Sequence, residues 1–353
     1  MRGKTLMGLK TYITKIHYNK QAKGLFFSLL KFFSLFYGFA SRLKNSLYEK
    51  DKLKPKKVDA YVISVGNLTT GGVGKTPVVA QIADYLIEKG EKVAILSRGY
   101  GGKLSGVNVI SDGENIYYSA RKAGDEPHWL AQNTKAIVIT AKNRYKGAKF
   151  AIDKFCATKI ILDDGFQHRK LHRDLDIVLV DSEMGFGNEN LLPAGPLREG
   201  TEAFERIDRL VIVSKNIDHT RAEKFARILE KKLNKPTSLC YSEPDFAYNI
   251  FEPNEKLENG DRIVAFSAIG QPQQFYNFLK NFDVVNTFNF DDHHKYSKND
   301  VQKMQKKCID MNINKLVTTE KDATKLDQSM FYLKVFALKL KTNLDVEKLI
   351  NGN

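Results

Sequence analysis

The stretch Gly66-Asn67-Leu68-Thr69-Thr70-Gly71-Gly72-Val73-Gly74-Lys75-Thr76-Pro77 has the residue types and spacing of a phosphate-binding loop. Glycines let successive backbone N–H groups curl around phosphate oxygens, and a following helix adds its N-terminal dipole. On this pattern Thr69, Thr70, Gly71, Gly72, Val73, Gly74, Lys75 and Thr76 cradle a nucleotide. Lys75 neutralises its outer phosphates and the Thr76 hydroxyl holds Mg²⁺. Thr69 stands where the GxxxxGK[ST] pattern has its first glycine. Pro77 falls in the first helical turn, where no N–H partner is lost. A second acidic signal follows at Lys159-Ile160-Ile161-Leu162-Asp163-Asp164, an apolar strand ending in two carboxylates, either of which suits the loop's Mg²⁺. His168, close behind, reads as structural, and so does Asp181 at the end of another strand.

A parallel sheet would position these groups. Short apolar runs at 60–65, 92–97, 135–139, 159–162, 176–180 and 209–213 predict strands buried on both faces, with helices such as 77–89 and 141–155 between them. That alternation predicts a P-loop NTPase-like α/β domain with helices on both faces over 58–235. The polar stretch 233–245, with two prolines, reads as a boundary. Strands near 262–267 and 314–318 and helices near 271–281 and 297–310 predict a smaller α/β domain over 236–353.

The chain has 353 residues and a net charge of +15, of which +11 lies in the first 60 residues. The basicity thus belongs to the N-terminal segment, 1–57. Three scattered cysteines support neither a disulfide framework nor a cysteine metal site and fit a reducing cytoplasm. Residues 25–40, LFFSLLKFFSLFYGFA, are shorter than a membrane span and contain Lys31. They read either as a helix packed on the body or as an interfacial helix, and lysines on both sides favour an anionic membrane surface. Nucleic acid is not expected as a partner, because an RNA-binding arm is more often polar and Arg-rich. No obligate protein partner is evident.

Several further blocks, taken with the loop, resemble the tetraacyldisaccharide 4′-kinase (lipid A 4′-kinase) family. They are SVGNLTTGGVGKTP (64–77), SRGYGG (97–102), GDEP (124–127), DDGFQHR (163–169), LLPAGPLRE (191–199), DDHH (291–294) and TTEKDATK (318–325), in the family's order. The resemblance implies ATP- and Mg²⁺-dependent phosphorylation of the 4′-hydroxyl of a tetraacylated glucosamine disaccharide 1-phosphate. It places that reaction in lipopolysaccharide biosynthesis, at the cytoplasmic face of the bacterial inner membrane. By the same resemblance Lys75 and Thr76 serve phosphates and Mg²⁺, Asp163 or Asp164 binds the metal, and Arg198 contacts phosphate. Asp125 takes the position of the general base, and His293 that of the histidine supporting it, a pair assembled as the two domains approach. Glu126 and Glu199 match positions near the site. Plain structural roles for Glu126, Arg198 and Glu199 are a helix first-turn acid for Glu126 and a surface ion pair for Arg198–Glu199. The alternative is a ParA/MinD-like membrane-associated ATPase, whose extra loop lysine would fall at Thr70 and in which DDGFQH and LPAGPLRE have no place.

Overall fold

The computed structural model describes residues 12–216, 218–270, 272–291 and 294–352. Twelve strands form one sheet in the order β10-β9-β11-β12-β8-β7-β6-β1-β5-β2-β4-β3. The central strand β1 (Tyr61–Asn67) pairs in parallel with β5 (Lys159–Asp163) on one side and β6 (Leu175–Asp181) on the other. On the β6 side follow β7 (Arg209–Ser214) and β8 (Thr237–Asn249), both parallel. On the β5 side come β2 (Val93–Ser97) and β4 (Ile137–Ala141), then an antiparallel edge strand β3 (Val107–Ser111). Every predicted strand of this part is present within two residues.

Alternate residues of these strands serve opposite faces. Ile63, Ile161, Ile177 and Val211 meet the helix Lys75–Glu88 through its buried Val78, Val79, Ile82 and Leu86. On the other face Val62, Leu96 and Ile160 meet Ala148 and Ala151 of the helix Arg144–Phe155, and Val178, Leu210 and Ile212 meet Ala222, Ala226 and Leu229 of the helix Thr220–Leu233. Each fully buried Val, Leu or Ile contributes about 1.5–3 kcal/mol, so this double layer is what fixes the loop at the top of β1.

The stretch read as a boundary is not a loop. Its residues from Thr237 onward form β8, which leaves the parallel array and runs antiparallel to β12 (Lys334–Leu344). β12 continues into β11 (Lys315–Thr319), β9 (Arg262–Ser267) and β10 (Asp283–Asn289), all parallel to one another. Helices cover this part on both sides as well: Phe275 and Phe278 pack against Ile263 and Phe336, and Met304 and Cys308 against Phe266 and Leu316. The last helix, Val346–Asn351, returns to the first part, where Val346 and Leu349 join the core beneath the helix Lys75–Glu88.

Residues Leu25–Glu49 form one long helix whose orientation is inverted for a surface helix. Its inward side sets Ser34, Gly38 and Asn45 beside Leu30 and Tyr48: Ser34 Oγ donates to the Leu191 carbonyl (2.8 Å), and Gly38 leaves no room for a Cβ beside the Leu191 side chain. Its outward side carries Leu25, Leu29, Phe32, Phe36, Phe39 and Leu43, all at least half exposed. No helix among the described residues is long and apolar enough to cross a membrane.

Candidate active site

The loop leaves β1 through Gly66, where a Cβ would lie 2.6 Å from that of the fully buried Phe166. Glycine is thus required for β1 and the DDGF turn to touch. The loop ends at Gly74, at φ +98°, the N-cap of the helix Lys75–Glu88. Lys75 Nζ donates to Asn67 Oδ1 (3.0 Å) and lies 3.4 Å from Asp164 Oδ1. Asp164, at φ +53°, also accepts from one Arg198 guanidinium nitrogen through both oxygens (2.9 Å each). Burial alone would raise the Asp164 pKa, but Lys75 and Arg198 outweigh it and hold the carboxyl below its ordinary range. Lys75, Asp164 and Arg198 therefore form one charged clamp at the mouth of the loop.

Asp163 differs. It ends β5, is 2% exposed, and accepts from Ser97 Oγ at Oδ2 (3.1 Å). Its Oδ1 is buried without a partner among the described residues. Burial, then the nearby Glu126, push its pKa up. A buried carboxylate oxygen with nothing to accept from fits a cation ligand. No cluster of three or more His, Cys, Asp or Glu able to hold a metal occurs among the described residues. Mg²⁺ needs none, since it takes one or two protein groups and completes its shell with phosphate oxygens and water.

Beneath the two carboxylates sits Arg144, 3% exposed, which donates to the Ala141 and Asp163 carbonyls and whose pKa burial lowers to about 10. His168 is held neutral, its pKa lowered to about 4 by burial and then by Arg144, Arg173, Lys44 and Lys170. On the far side of the loop Lys215 donates to the Gly72 carbonyl (2.6 Å) and to Asp181 Oδ2 (3.0 Å). Asp181, read as structural, thus holds the lysine that holds the loop. Lys215 and Arg144 carried no motif signal in the sequence.

Arg198 and Glu199 do not pair with each other at the surface. Glu199 is 4% exposed and accepts from Arg206 (2.7 Å), Asn45 of the long helix (3.1 Å) and Gln167 (3.4 Å). Glu199→Ala should strand the Arg206 charge and cost about 3–5 kcal/mol of stability, read by chemical denaturation. A loss below about 1 kcal/mol would mean that Arg206 is solvated rather than paired.

Asp125 and Glu126 open the helix Asp125–Asn133. The backbone before them fits against the SRGYGG turn so closely that a Cβ on Gly124, at φ +99°, would meet the Tyr100 carbonyl at 2.7 Å. Asp125 Oδ2 lies 3.5 Å from Nζ of Lys325, which belongs to the TTEKDATK block and is itself bound to the buried Asp322 (2.9 Å). The two parts of the chain therefore meet at Asp125. His293 lies outside the described residues. His294, its neighbour, contacts Asp300 Oδ2 (3.0 Å) at the capping box of the helix Lys298–Asp310, a structural role.

A phosphate loop on the central strand, an acidic strand end beside it and helices on both sheet faces define a P-loop phosphotransferase. The family model described as tetraacyldisaccharide-1-P 4′-kinase matches residues 26–351. A tetraacyldisaccharide 4′-kinase of Desulfotalea psychrophila is 36% identical over 336 residues, covering 93% of this chain and 96% of that protein. The one of Aquifex aeolicus is 38% identical over 325 residues, covering 90% and 94%. The crystal structure of LpxK from Aquifex aeolicus in complex with ATP aligns with a TM-score of 0.72 at 35% identity, over 93% of this chain and 99% of that one. The chain belongs to the tetraacyldisaccharide 4′-kinase family, and it is a kinase of lipid A biosynthesis rather than a ParA/MinD-like ATPase.

Proposed function

We propose that this kinase transfers the γ-phosphoryl group of ATP to the 4′-hydroxyl of a tetraacylated glucosamine disaccharide 1-phosphate, working as a peripheral protein on the cytoplasmic face of the inner membrane. The observation that carries the reading is the clamp of Lys75, Asp164 and Arg198 at the loop, next to the unpartnered Asp163 oxygen. Asp163 and Thr76 are the residues that hold Mg²⁺, which when bound offsets phosphate charge. Asp164 holds Lys75 and Arg198 in place until phosphate oxygens replace it. Apart from Thr70, whose N–H is taken by the Pro196 carbonyl, residues 69–76 supply backbone N–H groups to the phosphates. Asp125 accepts the proton of the attacking hydroxyl, and His293 supports it. The three parts 1–57, 58–235 and 236–353 divide the work as membrane contact, phosphoryl transfer and delivery of the groups that complete the base, with the last helix packed on the second part. Transfer of ³²P from ATP to the purified disaccharide 1-phosphate lipid, with the product mapped at the 4′-position, tests the assignment. Label at another hydroxyl, or none, overturns it.

The outward Phe and Leu stripe of the long helix supports the membrane part. Phe32, Phe36 and Phe39 changed together to Ser should cut binding to anionic vesicles by at least about tenfold, since each buried aromatic contributes roughly 1.5–3 kcal/mol. High salt should weaken wild-type binding without abolishing it. Unchanged pelleting of the triple variant would place the membrane contact elsewhere.

A further inference from the structure

Residues ahead of the long helix, outside the stretch 26–351 that matches the family, reach the phosphate loop. Ile16 is buried against Leu30 of that helix and Ala194. His17 Nε2 lies 3.0 Å from the Pro193 carbonyl oxygen. Asn188 donates its side-chain amide to the Ile16 carbonyl (3.0 Å) and its backbone N–H to the His17 carbonyl (2.8 Å). So anchored, Tyr18 donates its hydroxyl to the carbonyl of Thr70 (2.9 Å). Burial, and then the Asp181 charge, push its pKa to about 12, so the phenol stays a donor at neutral pH.

The consequence lies in the peptide plane. A carbonyl and the N–H of the next residue share one rigid plane and point to opposite sides. Holding the Thr70 carbonyl therefore fixes where the Gly71 N–H points, which is away from Tyr18. Gly71 sits at φ +123° and is followed by Gly72, so this plane can turn over at little steric cost unless something holds it. Lys215 does the same for the Gly72–Val73 plane through the Gly72 carbonyl. Thr70 spends its own N–H on the Pro196 carbonyl (2.8 Å) and has none to give a phosphate.

We infer that Tyr18 is a positioning residue of the nucleotide site: it locks the Thr70–Gly71 peptide in its phosphate-binding orientation and, through Ile16 and Leu30, ties nucleotide affinity to what the Phe-rich helix is bound to. The inference rests on the kinase and membrane readings above. Two sites joined through one packed segment must affect each other equally, so vesicles that tighten ATP binding are themselves bound more tightly in ATP.

The test is titration calorimetry of Mg·ATP into the full chain, with and without phosphatidylglycerol–phosphatidylethanolamine vesicles. Tyr18→Phe keeps the ring and removes the hydroxyl. It should weaken ATP binding roughly 3–10-fold, the worth of one hydrogen bond, while kcat at saturating ATP and the melting temperature stay close to wild type. Vesicles should tighten ATP binding to the wild type and do so less for Tyr18→Phe. An unchanged ATP Kd in Tyr18→Phe overturns the positioning role. Equal tightening of both proteins by vesicles overturns the link to the helix. If the wild type itself binds no ATP, it is the kinase reading that fails; if it binds no vesicles, the membrane reading fails.

Discussion

Lys75→Ala should lower kcat by at least about 10²–10³-fold at saturating ATP, the scale for losing one preorganised donor to charge that develops in the transition state. The Lys75 side chain is 12% exposed, so its ammonium acts in a site with little solvent to screen it. Its removal also leaves Asp164 to Arg198 alone, which would draw the guanidinium from the incoming phosphate. Lys75→Arg should not restore activity. Asn67 Oδ1, 3.0 Å away, sets a compact one-nitrogen contact that a planar fork cannot reproduce. Single-turnover ³²P transfer with ATP Kd measured alongside separates binding from chemistry. Turnover near wild type in Lys75→Ala would remove this lysine from the reaction.

Asp125→Ala should cost about 10²–10⁴-fold in kcat with ATP Kd little changed, because a sugar hydroxyl needs a positioned acceptor for its proton. The location suits such a role, at the junction of the two parts of the chain and next to Glu126, whose charge acts on Asp163. Lys325, 9% exposed and shared with Asp322, faces the Asp125 carboxylate at 3.5 Å. If His293 works with Asp125 as one unit, the double Ala variant should be about as slow as the worse single. Losses that multiply would mean separate roles, with His293 binding substrate. An unchanged kcat in Asp125→Ala would move the search to Asp164 or Glu126.

The phosphate loop and the core strands were legible because their signals are local. Gly71, Gly74 and Lys75 are spaced by the loop's own geometry, and β1, β5, β6 and β7 are apolar on both faces. What escaped depends on partners distant in sequence. Lys215 acquires meaning from a carbonyl 143 residues away, and Glu199 from Asn45, 154 residues away. β8 was hidden by its composition. It is polar and carries Pro244, which has no N–H for a ladder, yet Pro244 pairs with Leu340 beside an irregularity between Leu338 and Leu340, where the regular ladder is already broken. The Phe- and Leu-rich composition of the long helix was readable, whereas the inward Ser34 and Gly38 gave no sign that they face the body.

The closing contacts of β12 and the last helix set a schedule for synthesis on the ribosome. A nascent chain that has reached residue 330 already contains the phosphate loop and all its ligands. Yet its β8 still presents the edge that β12 will take, and the helix Lys75–Glu88 still lacks Val346 and Leu349. An open strand edge and an uncovered apolar face are the surfaces through which partly made chains aggregate. The nucleotide-binding half is thus finished only once residues 334–349 have been made, and until then it exposes the kind of surface that chaperones cover.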